Sequence, residues 1–185
     1  MPHRLKRYLG MELAPVAVRI LRGDPAPPGG ATGSPTYCDL VLRAARGERF
    51  VLDPASVRRL SCPNPELALG FREPRFADVQ PRIEGGTTAV VIGGEEADVW
   101  LFILTPAQVT RLATLLGGMQ VSFRGEMAVC GEATAQVYRT EKANLSFLCQ
   151  GCRELSGYRD DQVVVGLTPA EVAAVGKKIE EGRKR

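Results

Sequence analysis

The chain has 185 residues, 44% of them hydrophobic, and a formal net charge of +3. That is enough for a buried core, and no apolar run approaches the roughly 18 residues of a membrane helix. A single histidine, His3, excludes His-based catalytic triads and His-rich metal sites, so any metal would have to be held mainly by thiolates.

The opening Met1-Pro-His-Arg-Leu-Lys-Arg7 is basic like the start of a signal peptide. Gly10, Glu12 and Pro15 follow instead of a sustained apolar stretch, so the expected location is cytoplasmic. After this short helix, 15–21 has strand character, and 22–35 is a Gly/Pro-rich loop without periodicity. Cys38, Val41, Leu42 and Ala45 follow helical spacing, which Gly47 ends. A strand over 49–52 precedes a turn at Cys62-Pro63 and a short helix around Glu66 to Gly70. The stretch 72–97 reads as an insertion carrying an extra strand over 87–92. A strand over 98–104 then leads into a helix from Pro106.

The same order returns in the second half. Strand 119–124, helix 129–138, strand 144–148, a cysteine turn, strand 162–167 and helix 169–182 follow one another. Asp98-Val-Trp-Leu-Phe-Ile-Leu-Thr-Pro-Ala-Gln-Val109 aligns without a gap on Asp161-Gln-Val-Val-Val-Gly-Leu-Thr-Pro-Ala-Glu-Val172. Thr105 and Thr168 are the expected helix N-caps, each with proline at the next position. Val109, Leu112, Ala113 and Leu116 match Val172, Val175, Gly176 and Ile179 in phase, which is core packing. Trp100 and Phe102 are assigned to the core as well. Alternating helices and strands of this length imply an α+β, layered α/β domain. The expectation is one sheet-based domain over 1–185, built from two pseudo-symmetric β-α-β-(short α)-β-α repeats. Repeat one covers about 11–117 with the insertion 72–97, and repeat two covers about 118–182.

Four of the five cysteines take matched places in this duplication. Cys38 and Cys130 begin a helix, where the backbone N–H groups and the dipole favour a thiolate, and both should point inward. Cys62 and Cys149 each end a strand and enter a turn. A Cys₄ set without histidine suits an iron–sulfur cluster, with tetrahedral zinc as the alternative. The gaps of 23 residues between Cys38 and Cys62 and 18 between Cys130 and Cys149 are not those of paired zinc knuckles, which favours the cluster. The competing reading is that the four thiols only pack, as buried cysteines often do.

Cys149-Gln-Gly-Cys152 is the local motif, and strand, Cys-x-x-Cys, helix is also the arrangement of a dithiol redox site. The first half has Cys62-Pro-Asn-Pro65 instead, so Cys152 stands outside the repeat as an optional fifth ligand, a redox partner or a cysteine of no special role. The odd cysteine count argues against a disulfide scaffold. Three functions follow. The first is a cysteine-ligated metal centre on Cys38, Cys62, Cys130 and Cys149, with Cys152 as a possible addition. The second is a thiol or dithiol redox enzyme on Cys149 and Cys152. The third is a metal-free module that binds a small ligand beside the insertion. Glu132 is expected to cap its helix or to lie near the site, and Arg153 to pair with Asp160 or Asp161 or to attract an anionic ligand. The C-terminal Lys and Arg residues interleave with Glu180 and Glu181, a solvated helix end and not a nucleic-acid stripe. The expected partners are a redox protein or a small molecule, without nucleic acid or membrane.

Pro15-Val-Ala-Val18, Ala45-Arg-Gly47, Ser61-Cys62-Pro63, Leu69-Gly70, Thr105-Pro106, Cys130-x-Glu132, Cys149-x-Gly151-x-Arg153 and Gly157-Tyr158 occur in this order. In this the chain resembles the bacterial and archaeal family called domain of unknown function 169, over residues 9 to 180. The resemblance implies a soluble protein of anaerobic or redox metabolism and places the four repeat cysteines on the family's cysteine motifs. It gives no reaction. Cys152 falls where the family pattern implies a polar residue.

Overall fold

The computed structural model describes residues 1–30, 32–73, 81–122 and 127–182. Residues 74–80 of the expected insertion and 123–124 of the expected strand therefore lie outside the described residues. A seven-stranded sheet runs through the molecule in the order β2-β3-β1-β4-β7-β6-β5. Its strands are β1 (Val16–Arg22), β2 (Phe50–Leu52), β3 (Thr87–Ile92), β4 (Val99–Leu104), β5 (Gln120–Ser122), β6 (Asn144–Ser146) and β7 (Val163–Leu167).

Alternation along β4 decides what each face of the sheet holds. Val99, Leu101 and Ile103 enter one hydrophobic core, whereas Phe102 and Leu104 enter the other. The second core is closed by α1 (Pro2–Leu9), α5 (Pro106–Leu116) and α8 (Pro169–Gly182). Across the sheet lie α2 (Tyr37–Ala44), α3 (Pro54–Val57), α4 (Asn64–Ala68), α6 (Gln136–Thr140) and α7 (Gln150–Ser156). With them is a π-helix over Ala128–Ala135, where the sequence pattern predicts ordinary α-helix.

The pairing of β4 with β7 reveals the duplication in three dimensions. Trp100 pairs with Leu167, Leu101 with Gly166, Phe102 with Val165, Ile103 with Val164 and Leu104 with Val163. Each pair maps onto another when the aligned segments are exchanged, and Phe102 pairs with its own counterpart. A pseudo-twofold axis therefore passes through the sheet between these two residues. The same exchange relates α5 to α8, which pack on each other.

The Thr168 hydroxyl accepts from the Glu171 N–H (3.1 Å), and the Glu171 carboxylate accepts from the Thr168 N–H (2.9 Å), forming a capping box at α8. At α5 the Gln108 side chain accepts from the Thr105 N–H (2.9 Å). Val172, Val175, Gly176 and Ile179 are all buried, but of the α5 stripe only Leu112 is fully so. The difference comes from α1, which lays Leu5 and Leu9 into the core and packs mainly on α8.

Away from the axis the halves diverge. In repeat two β5 and β6 pair directly and in parallel. In repeat one the insertion strand β3 separates β1 from β2 and is antiparallel to both. The strand beside the axis also differs: β1 lies next to β4, whereas β6 lies next to β7. The insertion is thus a structural part of the sheet, and chain order is better preserved between the repeats than strand position.

Candidate functional site

All five cysteines belong to the face that carries α2 and the π-helix. The repeats meet there in a crossed arrangement. α2 of repeat one packs on α7 of repeat two, and the π-helix of repeat two packs on α4 of repeat one. Each Cys-bearing helix thus faces the cysteine turn of the opposite repeat.

Cys38, at the start of α2, lies at disulfide-bonding distance from Cys152 on α7, with a Cα–Cα separation of 5.7 Å. The Cys149 sulfur is 3.3 Å from the Cys152 sulfur. Cys38 and Cys152 are 9% and 1% exposed, while Cys149 is partly exposed. Cys62 is also partly exposed. Cys130 is buried in the π-helix, and burial pushes its thiol up, with the neighbouring Cys62 and Cys149 sulfurs adding to the effect.

Several expectations are corrected here. Cys38 and Cys130 do point inward, but burial outweighs any helix-start effect at Cys130 and holds it as a neutral thiol. Cys62 follows α3 and a turn, not a strand. Cys152 is the sulfur through which the turn of repeat two meets α2. A chain read as having no disulfide framework therefore brings one cysteine pair to bonding distance. Glu132 is fully buried and accepts from the Ser146 hydroxyl at 2.5 Å, while its backbone carbonyl accepts from the Asn144 amide at 3.0 Å. Arg153 pairs with Asp160 (3.4 Å) and donates to the Arg159 carbonyl (2.9 Å). Trp100 is half-buried at the margin of its core, whereas Phe102 is fully buried.

Two polar contacts fasten α2 to α7 independently of the sulfurs. The Thr36 and Ser156 hydroxyls are 2.6 Å apart and buried, and the Tyr158 hydroxyl donates to the Cys38 carbonyl at 3.1 Å. Thr36 also caps α2 by accepting from the Asp39 N–H. Tyr37, beside Cys38, reaches Thr134 of the π-helix (3.3 Å). Thr134 in turn donates to the Val129 carbonyl (2.8 Å). Burial raises the hydroxyls of both Tyr37 and Tyr158. Tyr158 stands in the Gly157-Tyr158 motif, but the sequence assigned no role to either tyrosine. The signal available was position: Tyr37 adjoins Cys38, and Gly157-Tyr158 directly follows α7.

Gly166 explains how closely the π-helix approaches. A Cβ there would stand 2.0 Å from the Ala133 carbonyl oxygen, so the bare backbone of β7 seats the π-helix. Its counterpart in β4 is Ile103, which makes this contact peculiar to repeat two.

Among the described residues, no group of three or more His, Cys, Asp or Glu side chains is arranged to hold a metal ion. Two clefts lie away from the cysteines. One of about 640 Å³ is lined by Asp98, Val137, Tyr138, Glu141 and Thr168, and another of about 370 Å³ by Arg22, Ile83, Glu84, Tyr138 and Arg139. The second touches the insertion at Ile83 and Glu84. Among the described residues, no helix is long and apolar enough to cross a membrane.

A repeated match is also what comparison with known proteins finds. The chain belongs to the family of uncharacterised ArCR proteins, domain of unknown function 169, which it matches over residues 4–92 and again over 92–177. The two matches join at the end of β3, inside repeat one as the chain's own alignment defines it. An uncharacterised protein of Methanocaldococcus jannaschii is 29% identical over 120 residues, covering 60% of this chain and 52% of that relative. The chain thus spans about half the length of this curated relative. No solved structure matches.

Proposed function

We propose that this is a thiol-based redox protein acting through the cysteine site between its two repeats, in a reducing cytoplasm. One observation carries the reading: Cys152 is at bonding distance from Cys38 and 3.3 Å from Cys149. Sulfurs this close exchange disulfides when one of them is a thiolate and access allows attack. The partly exposed Cys149 supplies that access. The counterpart would be a thiol or disulfide carried by a redox partner protein or a small molecule.

Titration against glutathione of varied redox ratio, with counting of free thiols, tests this. The expected result is reversible loss of two thiols per chain, abolished in Cys152→Ser. Retention of all five thiols under oxidising ratios overturns it.

A cysteine-ligated centre is the second reading, with an iron–sulfur cluster first and zinc as the alternative. It is favoured by the crossed packing, which carries the cysteine-bearing helix of each repeat towards the cysteine turn of the other. A bound metal would deprotonate Cys130 outright, offsetting the burial that keeps it neutral. Such a centre and the Cys38–Cys152 bond would be alternative states of the same sulfurs. Anaerobic purification with reductant, followed by iron, sulfide and zinc analysis, separates the readings. Stoichiometric metal that is lost on oxidation supports the centre, and absence of metal after reconstitution removes it.

A further inference from the structure

We infer that Cys152 is the shared sulfur of a three-thiol relay, exchanging its bond between the partly exposed Cys149 and the buried Cys38. This deepens the redox reading of the same site and rests on it. The step is an internal exchange. The Cys149 thiolate attacks the Cys152 sulfur, the Cys149–Cys152 bond forms as the Cys38–Cys152 bond breaks, and Cys38 leaves as the thiolate. The proton given up by Cys149 is recovered at Cys38, and no electrons enter or leave. The reverse step carries an oxidising equivalent inward, from the turn to α2.

Three features of the structure support the relay. First, both candidate partners already lie against the central sulfur, one at bonding distance and one at 3.3 Å. Second, Cys152 and Ser156 are one helical turn apart on α7 and both buried, so the face that carries the sulfur also carries the hydroxyl bonded to Thr36. That contact, with Tyr158 on the Cys38 carbonyl, keeps α2 against α7 when the sulfur bond is open. Cys38 therefore waits beside Cys152 in either isomer.

Third, exposure is graded along the three thiols. Cys149 is partly exposed, Cys38 is 9% exposed and Cys152 is 1% exposed. An external thiol or disulfide meets Cys149 first. The two isomers also differ in what they join. Cys149–Cys152 closes within one turn of a single helix. Cys38–Cys152 joins the two repeats across 114 residues of sequence. The exchange thus converts a local bond into a link between repeats.

The test uses the full chain equilibrated with a glutathione redox buffer, quenched in acid and blocked with N-ethylmaleimide. Trypsin leaves Cys149 and Cys152 on one peptide, 143–153, and Cys38 on another, 23–43. A mass spectrum therefore distinguishes an internally closed 143–153 from 143–153 joined to 23–43. The native protein should yield both species. Cys149→Ser should yield only the joined pair, and Cys38→Ser only the closed peptide. Because the remaining disulfide is buried, dithiothreitol should reduce Cys149→Ser at least about tenfold more slowly than the native protein. A native protein that yields a single species, or a Cys149→Ser protein reduced at the native rate, overturns the relay and leaves the redox reading intact. No disulfide in any buffer overturns both.

Discussion

Phe102 pairs across β4 and β7 with Val165, the residue that occupies its own position in the second repeat. A residue opposite its own counterpart on antiparallel strands marks a twofold relation, and the flanking pairs reciprocate around it. This relation brings the Cys-bearing helix of each repeat onto the turn of the other. The cysteine site is therefore a product of the duplication and belongs to neither half alone.

Seating the π-helix on β7 depends on the absence of a side chain at Gly166, where a Cβ would stand 2.0 Å from a backbone oxygen. Backbone cannot yield as a flexible side chain can. Gly166→Ala should cost about 1–3 kcal/mol, the usual range for overpacking, and Gly166→Val more. Urea denaturation would show it as a lower midpoint. An unchanged midpoint would mean that the π-helix is not held against the sheet.

Ser146 donates to the fully buried Glu132 at 2.5 Å. Removing the Ser146 hydroxyl takes a hydrogen bond from a buried carboxylate, which raises the cost of keeping it out of water. Ser146→Ala should destabilise the fold by about 1–3 kcal/mol, whereas Ser122→Ala, which removes a part-buried hydroxyl contact to Asn144 (3.2 Å), should cost less. Equal losses in the two variants, compared by the same denaturation, would contradict a special role for Glu132.

Thr168 and Glu171 cap α8 reciprocally, and Glu171 also accepts from the Ala143 N–H at 2.7 Å, tying the helix to the chain entering β6. Thr168→Ala should cost about 1 kcal/mol. Glu171→Ala should cost more, because two backbone donors lose their acceptor. The reverse order of thermal midpoints would show that the tie to Ala143 adds nothing.

Burial raises Cys130, Tyr37 and Tyr158 above their ordinary values. The folded protein therefore binds more protons than the unfolded chain once pH passes the unfolded values, about 8.5 for a thiol and about 10 for a phenol. Stability should fall as pH rises through that window and fall faster above about 10. Tyr158→Phe should flatten the upper part while lowering stability at neutral pH through the lost bond to the Cys38 carbonyl. Denaturation at pH 7.5, 9 and 10.5 checks the sign. In the same window Cys62 and Cys149 should alkylate well before Cys130, since attack requires a thiolate that burial disfavours.

Local patterns were sufficient for the element order and for the duplication. Period-3.6 stripes, Thr-Pro helix starts and apolar strand runs act over neighbouring residues, and most of the strands and helices stand close to where they imply. The inward turn of Cys38 and Cys130 was legible for the same reason, because each opens the apolar face of its helix. Three things required the tertiary structure. The insertion strand β3 lies between β1 and β2 because strand order depends on long-range pairing, which alternation along a strand does not encode. The π-helix is seated on bare backbone at Gly166, a long-range approach that local propensity does not encode. The partnership of Cys152 with Cys38 joins residues 114 positions apart. A repeat alignment sets Cys152 aside because its counterpart, Pro65, has no thiol, and only the crossing of the two repeats carries α7 onto α2. The sequence alone determined which thiols exist and which half each came from. Which sulfur faces which was decided by packing across the axis.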